Sequence, residues 1–497
     1  MKLKKEIVRL SVIIAALIAL RSCGTAPVTP DINETDSVGL WPDYAGVTFP
    51  SNIAAPSFRI QHDAQEYQTE IGRCGQAPNI ILRSEDSAVE IPLKKWRTLL
   101  EKAAGDSIYF RILLRQDGKW HGTPDIVCHV SAERIDPYLV YRLLYPGYEL
   151  WSEMGIYQRD LTSYRQTPVL ENKDFGDQCI NCHSFAQNDP TKAMMTHVRG
   201  KQGGTLVSKQ GKVEKFNSRV TGFRHGATYP QWNPDGRFIA FSANEVIQVF
   251  HSAGAKKIEV SDVGSDLMVY DSETYHAFSD RTISGTHYME TYPTWTPDGN
   301  RIYFCRTPAY DETTPFDSMR YDLCRIDFDR TSGRFSNLKT VYEASADTMT
   351  VTFPRVSPDG RWLMFTRARY GNFTIWHPEA QLCLMDLHNG NAIRELDEVN
   401  SNDIESYHSF SSNGRWFVFS SKRMDGLYAR PFIASFDPAT GQCGKPFPIP
   451  QPNADYYDMF TRTFNIPELA VSPIDNPESL LEGITQQQAV PVNITIN

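Results

Sequence analysis

Cys179-Ile-Asn-Cys182-His183 is the run in this 497-residue chain whose residue types and spacing suit cofactor chemistry. Two thiols three positions apart can add across the two vinyl groups of a porphyrin, and the adjoining imidazole then reaches the iron. The motif predicts one covalent haem c on Cys179 and Cys182, with His183 as proximal iron ligand. Met194, Met195 and His197 follow 11 to 14 residues later, close enough in sequence to fold back over a haem. His197 is the preferred distal ligand and would give a low-potential site; methionine would raise the potential, and an empty position would admit a small gas. Both methionines also read as ordinary core residues. The same spacing serves a local disulfide, a free dithiol or half of a zinc site. A thioredoxin-like role needs the CxxC at a helix start after a strand, and here it follows the polar run Glu171-Asn-Lys-Asp-Phe-Gly-Asp177. No second CxxC or His pair completes a zinc site.

The elements that must position this motif announce themselves through a repeat. Tyr229-Pro-Gln-Trp-Asn-Pro-Asp-Gly, Tyr292-Pro-Thr-Trp-Thr-Pro-Asp-Gly, Phe353-Pro-Arg-Val-Ser-Pro-Asp-Gly and Tyr407-His-Ser-Phe-Ser-Ser-Asn-Gly recur 54 to 63 residues apart, each followed by an apolar strand. Pro presets φ, Asp accepts backbone N–H groups and Gly takes the positive φ that closes a hairpin. One hairpin with room for two further strands is a propeller blade. Asp235, Asp298 and Asp359 are accordingly turn formers and not a carboxylate cluster, and Trp232 and Trp295 pack between blades. His225, His287 and His408 read as loop or inner-strand residues.

These hairpins resemble the PD40, WD40-like repeats of TolB-type propellers, over about half the chain. The fourth copy departs from the pattern, with His408 for Pro and Ser412-Asn413-Gly414 for Pro-Asp-Gly. A wider resemblance adds Asp136-Pro-Tyr-Leu-Val-Tyr-Arg-Leu-Leu-Tyr-Pro-Gly-Tyr-Glu-Leu-Trp151, Ile156-Tyr-Gln-Arg-Asp-Leu161, the CxNCH and Met194-Met-Thr-His-Val-Arg-Gly200. Together these look like a family of bacterial envelope lipoproteins commonly labelled cytochrome c biosynthesis proteins. That resemblance implies haem on Cys179, Cys182 and His183, with His197 as a further ligand. The Trp-rich haem-handling signature and the multiple membrane spans of maturation factors are absent from the sequence, so a biosynthetic role is not the one expected.

The N-terminus reads as an export signal. Lys2, Lys4, Lys5 and Arg9 precede the apolar run Leu10 to Leu20, and Leu20-Arg21-Ser22-Cys23 looks like a lipobox with lipid expected on Cys23. Arg21 departs from the small residue usual there; ordinary cleavage or a retained anchor is the alternative. Residues 23–45 then form a tether, and the protein is expected in the cell envelope, facing the periplasm. Hydrophobic residues make up 41% of the chain and charged ones 22%, enough for several cores. Removing residues 1–22 takes away five basic side chains and one acid and moves the formal charge from −9 to −13. Such a balance argues against nucleic acid as a partner.

The fold class expected is all-β: a propeller of PD40 blades preceded by a small β-sandwich. Residues 46–133 form the sandwich, interrupted by a helix with Trp96, Leu99, Leu100 and Ala103 on one face and Gly105 past its end. Residues 134–224 carry the CxxCH, read as a loop inserted in a modified first blade. The recognisable blades span 225–465, and 466–497 is a tail that closes the ring or stays loose. Among the remaining cysteines, Cys305 with Cys324 and Cys74 with Cys128 are the disulfides to test, against reduced thiols. Three functions remain: an electron-transfer or haem-sensing lipoprotein meeting a redox partner on its propeller; a propeller binding module for an envelope protein or glycan, without haem; or a hydrolase. Neither GxSxG nor HExxH occurs in the sequence, so a hydrolase would need scattered loop residues.

Overall fold

A computed structural model describes residues 26–145, 153–220, 223, 226–253 and 258–497. Residues 1–25 lie outside it, so the expected signal peptide and the expected lipid site at Cys23 fall beyond the described residues. None of the helices described is long and apolar enough to cross a membrane. The chain divides into two compact units, one of residues 1–46, 55–132 and 452–455, the other of 47–54, 133–451 and 456–497.

The smaller unit is organised by the strand Asp106–Gln116, which pairs antiparallel with Glu66–Arg73, Lys119–Gly122 and Ile126–Ser131. A second sheet joins Gly39–Trp41, Ser57–Gln61 and Ala88–Glu90. The sheets meet through Phe58 and Phe110, whose rings lie 5.9 Å apart. The helix Leu93–Ala103 buries Trp96, Leu99, Leu100 and Ala103, the face its spacing predicts. The expected tether needs correcting. Ile32–Asn33 pairs with His121 and Gly122, and Gly39–Trp41 is a strand, because Leu40 and Trp41 have apolar surface to bury.

The larger unit is a six-bladed propeller. Blade 1 consists of Tyr138–Leu144, Met154–Asp160 and Gln166–Glu171, and its innermost strand, Thr463–Ala470, comes from the far end of the chain. Blade 2 is built from Ile180–Ala186, Asp189–Val198, Gly204–Lys209 and Lys212–Asn217. Blades 3 to 6 begin with the inner strands Ala227–Trp232, Tyr288–Trp295, Thr350–Val356 and Glu405–Phe410. Each inner strand lies beside those of the next and previous blades, so the six close a ring. The "modified first blade" of 134–224 is thus most of blade 1 plus all of blade 2. The tail is not loose either: Thr463–Ala470 closes the ring, Pro477–Gln486 is a helix, and Val490–Pro491 and Asn493–Ile496 edge blades 2 and 3.

Local chemistry explains the repeated hairpin. In the four turns Asp235, Asp298, Asp359 and Asn413 accept the N–H two residues on, at 2.8, 3.1, 3.1 and 3.0 Å. The following glycines, Gly236, Gly299, Gly360 and Gly414, sit at φ of 74, 72, 77 and 63°. Trp232 donates its indole N–H to the Ser184 carbonyl at 3.1 Å, and Trp295 donates to that of Gln231 at 3.0 Å. Each tryptophan therefore stitches its blade to the preceding one.

No disulfide joins the described cysteines. Cys305 and Cys324 cannot meet across their strands, because Cys324 pairs with Phe304 and Cys305 with Leu323. Successive side chains of a strand point to opposite faces, so the two sulfurs enter different cores. Cys74 is exposed, whereas the buried Cys128 donates its S–H to the Tyr44 carbonyl at 3.3 Å.

Candidate functional site

One residue in every inner strand adopts a left-handed backbone: Cys182, Tyr229, Tyr292, Phe353, Tyr407 and Ile466, at φ of 54, 48, 54, 51, 50 and 50°. The ladder shifts register at each of these places, so each is a bulge that turns its side chain toward the propeller axis. Four of the six are aromatic and form a continuous collar. Ring centroids are 4.4 Å apart for Tyr229 and Tyr292, 4.0 Å for Tyr292 and Phe353, and 4.6 Å for Phe353 and Tyr407. Cys182 and Ile466 are smaller, and the collar opens beside them.

Three cavities lie around this collar. On the turn side a mouth of about 400 Å³ is lined by Gln231, Thr294, Arg355, Ser409 and Glu468, together with Trp232 and Trp295. All but the tryptophans stand one residue past the proline of the motif, or past His408 in blade 6. Below it a void of about 30 Å³ touches Cys182, His183, Tyr407, His408 and Ile466, room for one or two waters. On the other side of the collar lies a chamber of about 310 Å³, bordered by Arg142, Cys179, Arg199, Trp376 and Lys422.

Burial pushes the Glu468 carboxyl up to about 8, although Arg355 opposes the shift. Its side chain keeps 14% of its surface accessible through the channel. His183 Nε2 lies 3.9 Å from Glu468 Oε2. Burial, aided by Arg142, pulls His183 down to about 3. Burial thus disfavours the charged form of both partners, which argues against an ion pair at this contact. His183 Nε2 and His408 Nδ1 are both buried with no hydrogen-bond partner.

The CxxCH is not an inserted loop. Cys182-His183-Ser184-Phe185 occupies the positions of Tyr229-Pro230-Gln231-Trp232, and the two-residue turn Gln187-Asn188, at φ of 55 and 59°, replaces Pro-Asp-Gly. The structure does not bring the predicted haem ligands together. Cys179 borders the chamber, whereas Cys182 and His183 border the small void. His183 pairs with Thr196 and Asn181 with His197, which puts His183 and His197 on opposite faces of blade 2. His197 Nδ1 instead lies 2.9 Å from Thr205 Oγ1, beside a separate cavity. Met194 and Met195 are core residues on the two faces of the blade. As folded, these residues do not fit a haem: one planar macrocycle cannot reach both thiols and the imidazole through a void the size of a water. Among the described residues no cluster of three His, Cys, Asp or Glu is placed to hold a metal ion.

Sequence reasoning missed Arg355, Glu468, Arg142, Lys422 and Trp376. For Arg355 a signal existed, since reading the repeats as a register shows that their third position faces the mouth. Glu468 and Arg142 carried none, because blade 1 is assembled from distant segments.

No family model matches the chain. An uncharacterised protein of Agrobacterium fabrum is 25% identical over 204 residues, which is 35% of this chain. The chain spans 63% of the length of that relative. Among solved structures, one assigned to TolB from Agrobacterium tumefaciens aligns at a TM-score of 0.36 and 14% identity, over 63% of this chain and 90% of that one. The β-propeller domain of the Trilobed protease from Pyrococcus furiosus aligns at 0.32 and 10% identity, over 69% and 82%. By its own sheet topology and turn chemistry, the chain is an all-β protein whose larger unit is a propeller of TolB-like, PD40-type blades.

Proposed function

We propose that the protein is a propeller binding module of the cell envelope, held to a membrane by lipid on Cys23. In this reading an extended segment of an envelope protein is recognised at the mouth over the propeller axis. The observation that carries it is the position of the CxxCH: Cys182 takes the place that an aromatic residue holds in the other repeats, which makes the motif part of the scaffold. Gln231, Thr294, Arg355, Ser409 and Glu468 gather donors and acceptors from five blades around one opening. An extended chain, with its alternating N–H and C=O groups, matches such a mixed lining. A glycan is the other occupant of the same class, and the Trp232 and Trp295 rings beside the opening favour it less because they are engaged between blades.

Two measurements test this together. The protein is expressed with a c-type maturation system, and its oxidised and dithionite-reduced absorption spectra are recorded beside those of Cys179→Ala and Cys182→Ala. A photoreactive residue is also placed in cells at Gln231 and, for comparison, at the exposed Arg334. A colourless protein that captures one envelope protein from position 231 alone is the expected result. A reduced α-band lost in both variants, without site-dependent capture, would replace this reading with the haem-carrying one and a redox partner.

A further inference from the structure

The chamber on the other side of the collar has a composition at odds with the rest of the chain. The protein carries a formal charge of −9, yet the described residues lining this cavity include three cations, Arg142, Arg199 and Lys422, and not one carboxylate. Much of its remaining surface is apolar or aromatic, from Leu144, Met154, Val246, Val260, Ile375 and Trp376, and the rest is polar but neutral, as at Asn244 and Gln248. The cations are held in ways that leave their charge uncancelled. Arg142 donates to the Asn181 Oδ1 at 2.8 Å, the Ile180 carbonyl at 3.0 Å and the Asn465 Oδ1 at 2.7 Å, all neutral acceptors. Its Nε is buried and unpartnered. Lys422 is only 5% exposed and lies over the Trp376 ring, 4.1 Å from its centroid. Arg199, at the rim, has no ion-pair partner among the described residues.

Burying an ammonium without a counter-ion is costly, and the cost is recovered when an anion arrives. Burial pulls the Lys422 ammonium down to about 8, and the more distant Asp403 and Asp425 offset this only in part. A cavity of this volume, mostly apolar with a few convergent polar groups, is of the kind that takes a small molecule. We infer that the chamber is a binding site for a small amphipathic organic anion, with a flat apolar body against Trp376 and Met154. Its acidic group would lie among Arg142, Arg199 and Lys422. The inference does not depend on what the mouth binds. It assigns Cys179 a place in the wall of the chamber, where a bound ligand would cover its sulfur.

The test uses the full chain and a matched pair of probes. 1-Anilinonaphthalene-8-sulfonate carries a sulfonate on an aromatic body, and N-phenyl-1-naphthylamine is the same body without the charge. Fluorescence titration is expected to show one site that prefers the anionic dye by tenfold or more. Lys422→Met and Arg199→Met should each weaken that dye by about tenfold and the neutral dye little, an expectation in line with the loss of one charged contact. Arg330→Met, elsewhere on the surface, should change neither. The anionic dye should also slow alkylation of Cys179 by N-ethylmaleimide, read by mass spectrometry, while the exposed Cys74 reacts at its usual rate. Equal affinity for both dyes would overturn the site. So would unchanged binding in both Arg199→Met, whose exposed position puts folding at little risk, and a folded Lys422→Met. Undiminished alkylation of Cys179 at saturating dye would do the same.

Discussion

The inner strands of blades 2 and 4 follow the same backbone path with almost no side chain in common. Cys182 and Tyr292 both sit at φ 54°, each at a register shift in its ladder. After them come His183-Ser184-Phe185 in one strand and Pro293-Thr294-Trp295 in the other. The fourth residue of each packs against the preceding blade, Phe185 with Val140 and Ile156, Trp295 with Phe238 and Ala240. A blade position is thus defined by a bulge and a packing direction, and it accepts any residue that satisfies both. Where the axial residue is large the collar is sealed. Where it is Cys182 or Ile466, the channel keeps room beside it.

The comparison is broken most directly by truncating the two axial residues. Tyr292 is fully buried, touches two rings of the collar and donates its hydroxyl to the Asn372 carbonyl at 2.8 Å. Tyr292→Ala should cost about 3–5 kcal/mol in urea unfolding. Cys182→Ala removes one buried sulfur and should cost ~1 kcal/mol. Equal losses would mean that Cys182 does more than fill its place.

Next in size is a pH effect centred on the channel. Glu468 and Asp262 are both pushed up to about 8, chiefly by burial. Folded, they keep protons that the unfolded chain releases near its ordinary carboxylate range, so stability should fall as pH rises from about 4.5 to 8. His183, His197 and His408 are pulled down to about 3 by burial, and the sign reverses: stability should rise between pH 3 and 6.5. The urea midpoint is expected to peak in mildly acidic solution. Glu468→Gln should flatten the decline between pH 6.5 and 8, and an unaltered slope would remove Glu468 as its source.

Smaller effects sharpen the blade-to-blade comparison. Trp232→Phe and Trp295→Phe each delete an indole N–H donor to the carbonyl of the preceding blade, and each should cost about 1 kcal/mol. A much smaller loss for Trp232→Phe would indicate that blade 2 docks differently from its neighbours. Asn413→Asp restores the usual turn residue but gives up the Asn413 amide bond to the Arg134 carbonyl. The midpoint should then move by less than the equivalent of about 0.5 kcal/mol.

Legibility followed how local the determining contacts were. The helix Leu93–Ala103 and the four hairpin turns were readable because periodicity and the positive φ of a following glycine act within a few residues. Blade 2 was not, since Gln187-Asn188 closes its hairpin without proline or glycine and Cys182 stands where an aromatic was the marker. Blade 1 was hidden for another reason: Tyr138–Leu144 pairs with Thr463–Ala470 across the length of the chain. The CxxCH was visible as a pattern, but spacing along a sequence does not say that a bulge within one strand directs Cys179 and His183 to different cavities.

By itself, then, the sequence determined the blade unit: an aromatic, a turn of Asp and Gly, and an alternating strand repeated often enough to demand a closed array. Those are short-range choices, made by steric limits on φ and by the need to bury apolar surface. Only the tertiary structure decided that six blades close the ring, with one of them completed by the C-terminal strand. It also decided that His183 and His197 face apart, and that three cations from separate blades share one chamber. Those outcomes depend on register and on contacts between residues far apart in sequence, and a one-residue bulge is enough to redirect each of them.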